Sequence, residues 1–240
     1  MDNIKKVIMN KIAIFKKGVR ELLVATIALV GCSKNDNTTP NPVPDSPKET
    51  APYIQLTTAR EKGSQIQLTI EAPKADKKDI WIDLNNNGVY DNGIDVRLSA
   101  ATAKYTLKGS TLRVYGKLTL FNCSYNEVTS LEVTHHPLLE RLDMSHNKIK
   151  EIDLSKNTAL TYLKVSDLPL TGLDLRANKK LKELRFNRTL SGEKLKRCVN
   201  TLHENGGGTI YMHKSITDSE KERATMQILK KKKWSIGNCE

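Results

Sequence analysis

A 21-residue period runs without slippage from about Leu118 to Asn187, and it limits what this chain can fold into more than any other feature. Phe121, Leu142, Leu163 and Leu184 fall at one phase, and Cys123, Met144, Val165 and Phe186 fall two residues later. Leu118, Leu139, Leu160 and Leu181 form another column. So do Val128, Ile149 and Leu170; Leu131, Ile152 and Leu173; and Val133, Leu154 and Leu175. A fixed period in the twenties marks each repeat as one coil of a solenoid, which buries its apolar residues against its neighbours. Such a stack offers a broad, repetitive surface and no built-in catalytic pocket. A binding module is therefore expected before an enzyme.

Within each unit, a stretch such as Leu142-Asp143-Met144-Ser145 reads as a short strand. Asn126 and Asn147 are placed to hydrogen-bond backbone inside the turn, as an asparagine ladder does, whereas Leu168 at the same position predicts a looser third coil. The pair Ile152-x-Leu154 predicts a second strand on the opposite side. Residues alternating with the buried leucines point outward onto a concave face. Leu120, Arg141, Tyr162 and Glu183 form one outward column, Asn122, Asp143, Lys164 and Arg185 the next, and Tyr125, His146, Asp167 and Arg188 a third. Tyrosine and arginine often anchor binding hot spots. The candidate partner-binding set is therefore Tyr125, Arg141, Asp143, His146, Tyr162, Lys164, Asp167, Glu183 and Arg185, with a protein or a glycan as ligand. The competing expectation is a merely solvated face. Glu132, Asp153 and Asp174 stack elsewhere, one per coil, and read as solvated; His135-His136 reads as a loop.

The flanks differ in pattern. Over 53–115, Ile54/Leu56, Ile66/Leu68/Ile70 and Val96/Leu98 alternate with polar residues at strand period. Residues 191–240 hold two helical patterns, one with Leu195, Cys198, Val199 and Leu202 on a face, separated by a strand at Thr209–His213. A terminal unit of this kind is needed where the last coil would otherwise expose its core. The expected fold is mixed and mainly β: a small antiparallel β-domain at 53–115, the repeat solenoid at 116–190, and an α/β cap at 191–240. Between the early strands, Asp83-x-Asn85-x-Asn87-Gly88-x-x-Asp91 matches the first half of an EF-hand-type calcium loop. Oxygen ligands at positions 1, 3 and 5, a glycine for the sharp turn, the Val89 carbonyl and Asp91 suit a hard cation. The usual closing glutamate is Ile94, with Asp95 one residue later as a substitute. An Asn/Gly-rich hairpin turn accounts for the same residues.

The N-terminus carries an export signal. Six Lys/Arg precede the nine-residue run Leu22–Val30, far short of the roughly 20 residues that span a bilayer. The run ends in Leu29-Val30-Gly31-Cys32, which resembles a bacterial lipobox, in which the cysteine is acylated and becomes the first mature residue. Residues 1–31 are thus expected to be removed. Residues 32–52, with five of the eight prolines, read as an extended tether. The membrane is then reached through the lipid alone. The leader holds +4 of the formal charge of +12, leaving +8 on the mature chain. That basicity suits an anionic surface, and export argues against nucleic acid. Cys123 stands in an apolar column as a small hydrophobe. Cys198 and Cys239 remain as a candidate disulfide in an oxidising compartment. There is no Gly-x-Ser-x-Gly, His-Glu-x-x-His or phosphate loop, so no catalytic residue is assigned.

Three segments together resemble a family, the Bacteroidetes-type leucine-rich-repeat surface lipoproteins, akin to internalin-like proteins with 21-residue repeats. They are Ile80 to Gly88, Phe121 to Asn126, and Ile152 to Leu160. The resemblance covers about residues 53–240 and implies a lipid-anchored protein of a Gram-negative outer membrane or cell surface. It would bind macromolecules in adhesion or host contact. A structural or accessory envelope role is the first alternative and carbohydrate binding the second. The chain departs from the pattern in its short array and in losing the cysteine column after Cys123.

Overall fold

The computed structural model describes residues 51–204 and 207–239. The leader, Cys32 and the tether up to residue 50 lie outside the described residues. Each repeat contributes one short strand to a common parallel ladder: β7 (Leu120–Asn122), β9 (Arg141–Asp143), β10 (Tyr162–Lys164) and β11 (Glu183–Arg185). These strands pair in parallel, Phe121 beside Leu142, Leu142 beside Leu163 and Leu163 beside Leu184. Neighbours in the sheet are therefore the same position of successive repeats. That identity turns a sequence period into a packed column, and all four side chains are fully buried.

The sheet continues past the repeats at both ends. Strands β12 (Thr209–His213) and β13 (Ser235–Cys239) add in parallel, Glu183 beside Thr209 and Thr209 beside Ser235, a longer step of 26 residues. The step lengthens because helices α1 (Gly192–Thr201) and α3 (Arg223–Lys231) lie between the strands, with a single turn α2 (Lys214–Thr217) after β12. Leu195, Cys198 and Val199 of α1 and Leu229 of α3 are buried and cover the last coil. At the other end β2 (Gln65–Glu71) pairs antiparallel with β7, and β5 (Thr102–Thr106) pairs antiparallel with β2. The result is one eight-stranded sheet, β13-β12-β11-β10-β9-β7-β2-β5.

A second, antiparallel sheet has the order β4-β3-β6-β1-β8. Its strands are β1 (Tyr53–Thr58), β3 (Trp81–Asp83), β4 (Val96–Arg97), β6 (Thr111–Tyr115) and β8 (Val128–Glu132). One hydrophobic cluster runs from Ile54 through Leu163 to Leu229, so segment 53–115 shares its sheets and its core with the repeats. Strand β8 is the back strand of the first coil, and β1 pairs with it, Leu56 beside Leu131. The expected counterpart at Ile152-x-Leu154 is not a strand. Strand β1 ends at Thr58, and the backs of the coils are linked by isolated bonds, Lys148 N to Val128 O at 2.7 Å and Thr171 N to Lys150 O at 2.9 Å.

Two polar ladders hold the coils in register. In the first, Asn147 Oδ1 accepts from Asn126 N (3.1 Å) and Val128 N (2.9 Å), while its Nδ2 donates to the carbonyls of Cys123 and Met144. Leu168 has no polar side chain to form a rung, and the ladder resumes one period beyond it. Thr189, one period on, donates its hydroxyl to Val165 O and accepts from Leu168 N at 3.4 Å. The second ladder was not expected. Asn157 Nδ2 donates to the carbonyls of Val133 and His136 (both 2.8 Å), and Asn178 Nδ2 to those of Leu154 and Asn157. His136 stands at the head of this column, fully buried, and its Nε2 accepts from Leu118 N at 2.8 Å.

Burial holds the His136 ring below its ordinary value near 6.5, against the Gly116 carbonyl that favours the charged form. Folding therefore selects the neutral ring. This contribution is whole above about pH 6.5 and is lost as the pH falls below it. His203, lowered first by burial and then by Lys179 and Lys232, acts with the same sign. Chemical denaturation of wild type should thus show a loss of stability between about pH 7 and pH 5. His136→Asn, which copies Asn157 and Asn178, should shrink that loss. An unchanged pH dependence in the variant would place the sensitivity elsewhere.

Candidate ligand-binding face

The side of the eight-stranded sheet turned away from the core carries two rows of side chains in strand register. One runs Arg141, Tyr162, Glu183 and Thr209; the other runs Asn122, Asp143, Lys164, Arg185 and Tyr211. Alternation along each strand puts them outward because Phe121, Leu142, Leu163, Leu184 and Ile210 between them are buried. The rows pair internally. The Arg141 guanidinium lies 4.9 Å over the Tyr162 ring, and that of Arg185 lies 4.3 Å over Tyr211. Lys164 Nζ is 3.5 Å from Asp143, and Arg185 Nε donates to Glu183 at 2.5 Å, which raises the guanidinium's pKa further. Burial pushes the Tyr162 hydroxyl up as well. A Cβ on Gly237, beside Tyr211 on β13, would meet that ring at 2.6 Å, so the tyrosine lies over the neighbouring strand only because a glycine is there.

At the edge of these rows each repeat turns back toward the core. Tyr125, His146 and Asp167, one period apart, all have left-handed backbone, with φ of 60°, 54° and 53°. This conformation costs a non-glycine residue on the order of 1–2 kcal/mol, and it is rarest for bulky side chains. The turn is held by amide bonds across the coils, Tyr125 N to Ser145 O at 3.2 Å and His146 N to Ser166 O at 2.9 Å. The side chains form a ladder of their own. The Tyr125 and His146 rings stack at 4.1 Å, 14° from parallel, and His146 Nδ1 lies 3.5 Å from the Asp167 carboxylate.

All nine residues expected to bind a partner therefore share one face. The sequence reading missed what extends it. A cleft of about 520 Å³ is lined by Tyr125, His146, Lys164 and Arg185, but also by Tyr211 and Asn238 from the cap. On the other side of Tyr125 a second cleft, of about 310 Å³, is lined by Arg60, Gln67, Lys104 and Asn122. The outward alternation of β2, β5 and β12 was readable, but their membership of the repeat sheet was not.

The Asp83–Asp95 loop lies between β3 and β4. Asp83 is fully buried and accepts from Asn87 N (3.2 Å) and Gly88 N (2.8 Å). Asp95, also buried, accepts from Leu84 N (2.9 Å) and Asp91 N (2.8 Å), and burial raises its pKa. Asp91 accepts from the amide nitrogens of Asn85 (2.8 Å) and Asn87 (2.5 Å). Val89 is exposed, and its amide donates to Asn87 Oδ1. Gly88 supplies φ +82° for the turn. Aromatic rings brace the loop: Trp81 stacks on Tyr115 at 4.4 Å, and Tyr90 meets the Trp81 ring edge-on at 5.6 Å. Among the described residues, no three or more His, Cys, Asp or Glu side chains form a group that could hold a metal ion.

Cys198 is a free thiol buried on α1, and the side chain of Cys239, the other half of the expected bridge, lies outside what the structure describes. Cys198 is turned into the core with Leu195 and Val199, and burial pushes its pKa up to about 12, which keeps it inert. Glu132, Asp153 and Asp174 each accept from the amide two residues on, at 2.9, 2.8 and 3.0 Å, and so lock one turn per coil. The Ser155 amide holds Asp153 below the usual carboxylate range, and the Arg176 guanidinium, followed by the Arg176 amide, does the same for Asp174. Acylation at Cys32 falls outside the described residues. Among the described residues no helix is long and apolar enough to cross a membrane.

No family model matches this chain, and no curated protein matches it. Among solved structures, the functional domain of InlJ from Listeria monocytogenes, which includes a cysteine ladder, is similar at 29% identity and a TM-score of 0.32. The likeness covers 40% of this chain and 20% of that one, so the chain spans about one fifth of the matched structure. In the repeats of this chain a single cysteine, Cys123, stands in a column otherwise made of Met144, Val165 and Phe186.

Proposed function

We propose that this chain is an exported, non-enzymatic binding module, anchored through an acylated Cys32 at the outer membrane or surface of a Gram-negative cell. Residues 32–52 form the tether. The stacked repeats are a short leucine-rich-repeat solenoid with an α/β cap, and the open face of its sheet receives a macromolecule, as in adhesion or host contact. The observation that carries this reading is the face itself. Aromatic, guanidinium and carboxylate groups are held in register across neighbouring strands, beside three strained turn residues whose side chains point to solvent. Backbone strain of that kind concentrates where a surface has a task beyond folding.

Whole cells supply the test. Cys32→Ala should release the protein from the membrane fraction or leave it unprocessed. Tyr162→Ala combined with Arg185→Ala, folded as judged by circular dichroism, should weaken partner or cell binding by about tenfold or more. A folded double variant that binds like wild type would move the contact to another surface. A Cys32→Ala protein that stays processed and membrane-bound would remove the anchor.

Weak calcium binding at the Asp83–Asp95 loop belongs to the same proposal. What supports it is the donor set: three carboxylates and two amides drawn onto one turn, two of the carboxylates buried. Half-turn rotations of the Asn85 and Asn87 amides would present oxygens in place of nitrogens. With a Kd near 10⁻³ M, calcium at ten times that concentration adds about 1.4 kcal/mol, a melting shift of a few degrees. Asp83→Ala should abolish the shift. No shift in wild type would mean that the hydrogen bonds alone close the turn.

A further inference from the structure

We infer that the open face is a groove for a glycan chain, with a sugar ring stacked on Tyr125 and the chain running across the strands toward the Arg185–Tyr211 pair. The inference rests on the proposal that the ligand seats on this face. Three observations meet at Tyr125. Its backbone is left-handed, a conformation that a bulky aromatic residue keeps only when the surrounding structure holds it there. Its side chain is 64% exposed, more than any other large hydrophobic side chain among the described residues. It also stands as the partition between the two clefts. With His146 stacked behind it and solvent in front, the ring is a flat, rigid platform.

The walls select the ligand's chemistry. Gln65, Gln67 and Asn122 line one cleft, and Ser166, Asn187 and Asn238 the other. Each of these side chains both donates and accepts hydrogen bonds, as sugar hydroxyls do. Most charges lining the clefts are neutralised in place, Lys164 by Asp143, Arg185 by Glu183 and Arg60 by Glu127, which leaves Lys104 as the lining cation without an ion pair among the described residues, so their remaining N–H and oxygen sites meet hydroxyls without a large net field. A pyranose ring offers an apolar C–H face to an aromatic platform and a polar rim to such walls. A protein hot spot instead needs an apolar pocket that excludes water. The one aliphatic residue lining either cleft is Ile66, itself 1% exposed. From β7, which leads into Tyr125, to β12, which bears Tyr211, there are four strand spacings, about 19 Å, room for several rings.

The test uses the purified full-length chain and immobilised dextran, mannan, pectate and heparin, each at low and high salt. Wild type should bind at least one polymer in a salt-resistant manner. Tyr125→Gly should weaken that binding by tenfold or more while the melting temperature holds or rises, because glycine relieves the left-handed turn. His146→Asn, which also tolerates that backbone, should weaken it less. Tyr211→Ala should weaken it from the far end. Binding that disappears in high salt and ignores Tyr125→Gly is charge attraction to a basic protein, and overturns the inference. Wild type that binds no polymer, while cell adhesion is lost in Tyr162→Ala/Arg185→Ala, overturns the glycan but leaves the open face as the site. Adhesion that survives in that folded double variant removes both.

Discussion

Leu142→Ala is expected to destabilise the protein by about 2–5 kcal/mol, measured by urea or thermal unfolding. Leu142 is fully buried and lies between Phe121 on one neighbouring strand and Leu163 on the other. Truncation removes the transfer free energy of three carbons and leaves a cavity that the paired strands, tied by backbone bonds, close only in part. For a domain of this size the melting temperature should fall on the order of 10 °C. Leu163→Ala, one period on and equally buried, should behave alike. Exposed Lys156→Ala should cost under about 0.5 kcal/mol. Similar losses from the two classes would mean that the columns do not form the core.

Asn147→Ala should cost at least about 3 kcal/mol although it removes little apolar area. The side chain accepts from two backbone amides and donates to the carbonyls of Cys123, Met144 and Ser145, all within the core. Its loss leaves buried donors and acceptors unpaired, and each orphaned group costs about 1–3 kcal/mol where water does not reach it. Thr189→Val should cost less, about 1 kcal/mol, because that hydroxyl serves only the Leu168 amide and the Val165 carbonyl. If Asn147→Ala were no worse than Thr189→Val, solvent would be repairing the turn and the ladder would not be fixing the register.

The contrast between these two positions also marks how far the candidate site could be read. Asn126 and Asn147 announced their role because an amide after Ser, at the end of a strand, has one obvious set of partners. Leu168 marked a gap in the ladder, and its resumption at Thr189 was hidden by the change of residue type a whole repeat on. The residues between Ser and the ladder position, Tyr125, His146 and Asp167, were legible as outward-facing. Their left-handed backbone was signalled only by His146 and Asp167, residue types enriched in that region, and nothing in a tyrosine asks for it. Asn157 and Asn178 were visible as a 21-residue pair, but His136 in the same column hid the second ladder behind a change of residue type.

The sequence by itself determined the period, the buried columns and the nine outward residues. Each of these follows from one rule applied locally: a strand alternates sides, and a repeat returns every position to the same place. Tertiary structure alone decided that β2 and β5 join the repeat sheet antiparallel, that β12 and β13 prolong it, and that Cys198 faces the core. Those outcomes depend on which distant apolar face each segment can cover. Ile66 and Leu68 of β2 join the same core as Phe121 of β7, and Ile210 of β12 extends the column of Leu184. Burial is satisfied by any well-fitting partner, so a segment's own residues fix which of its sides is buried and leave open what it is buried against.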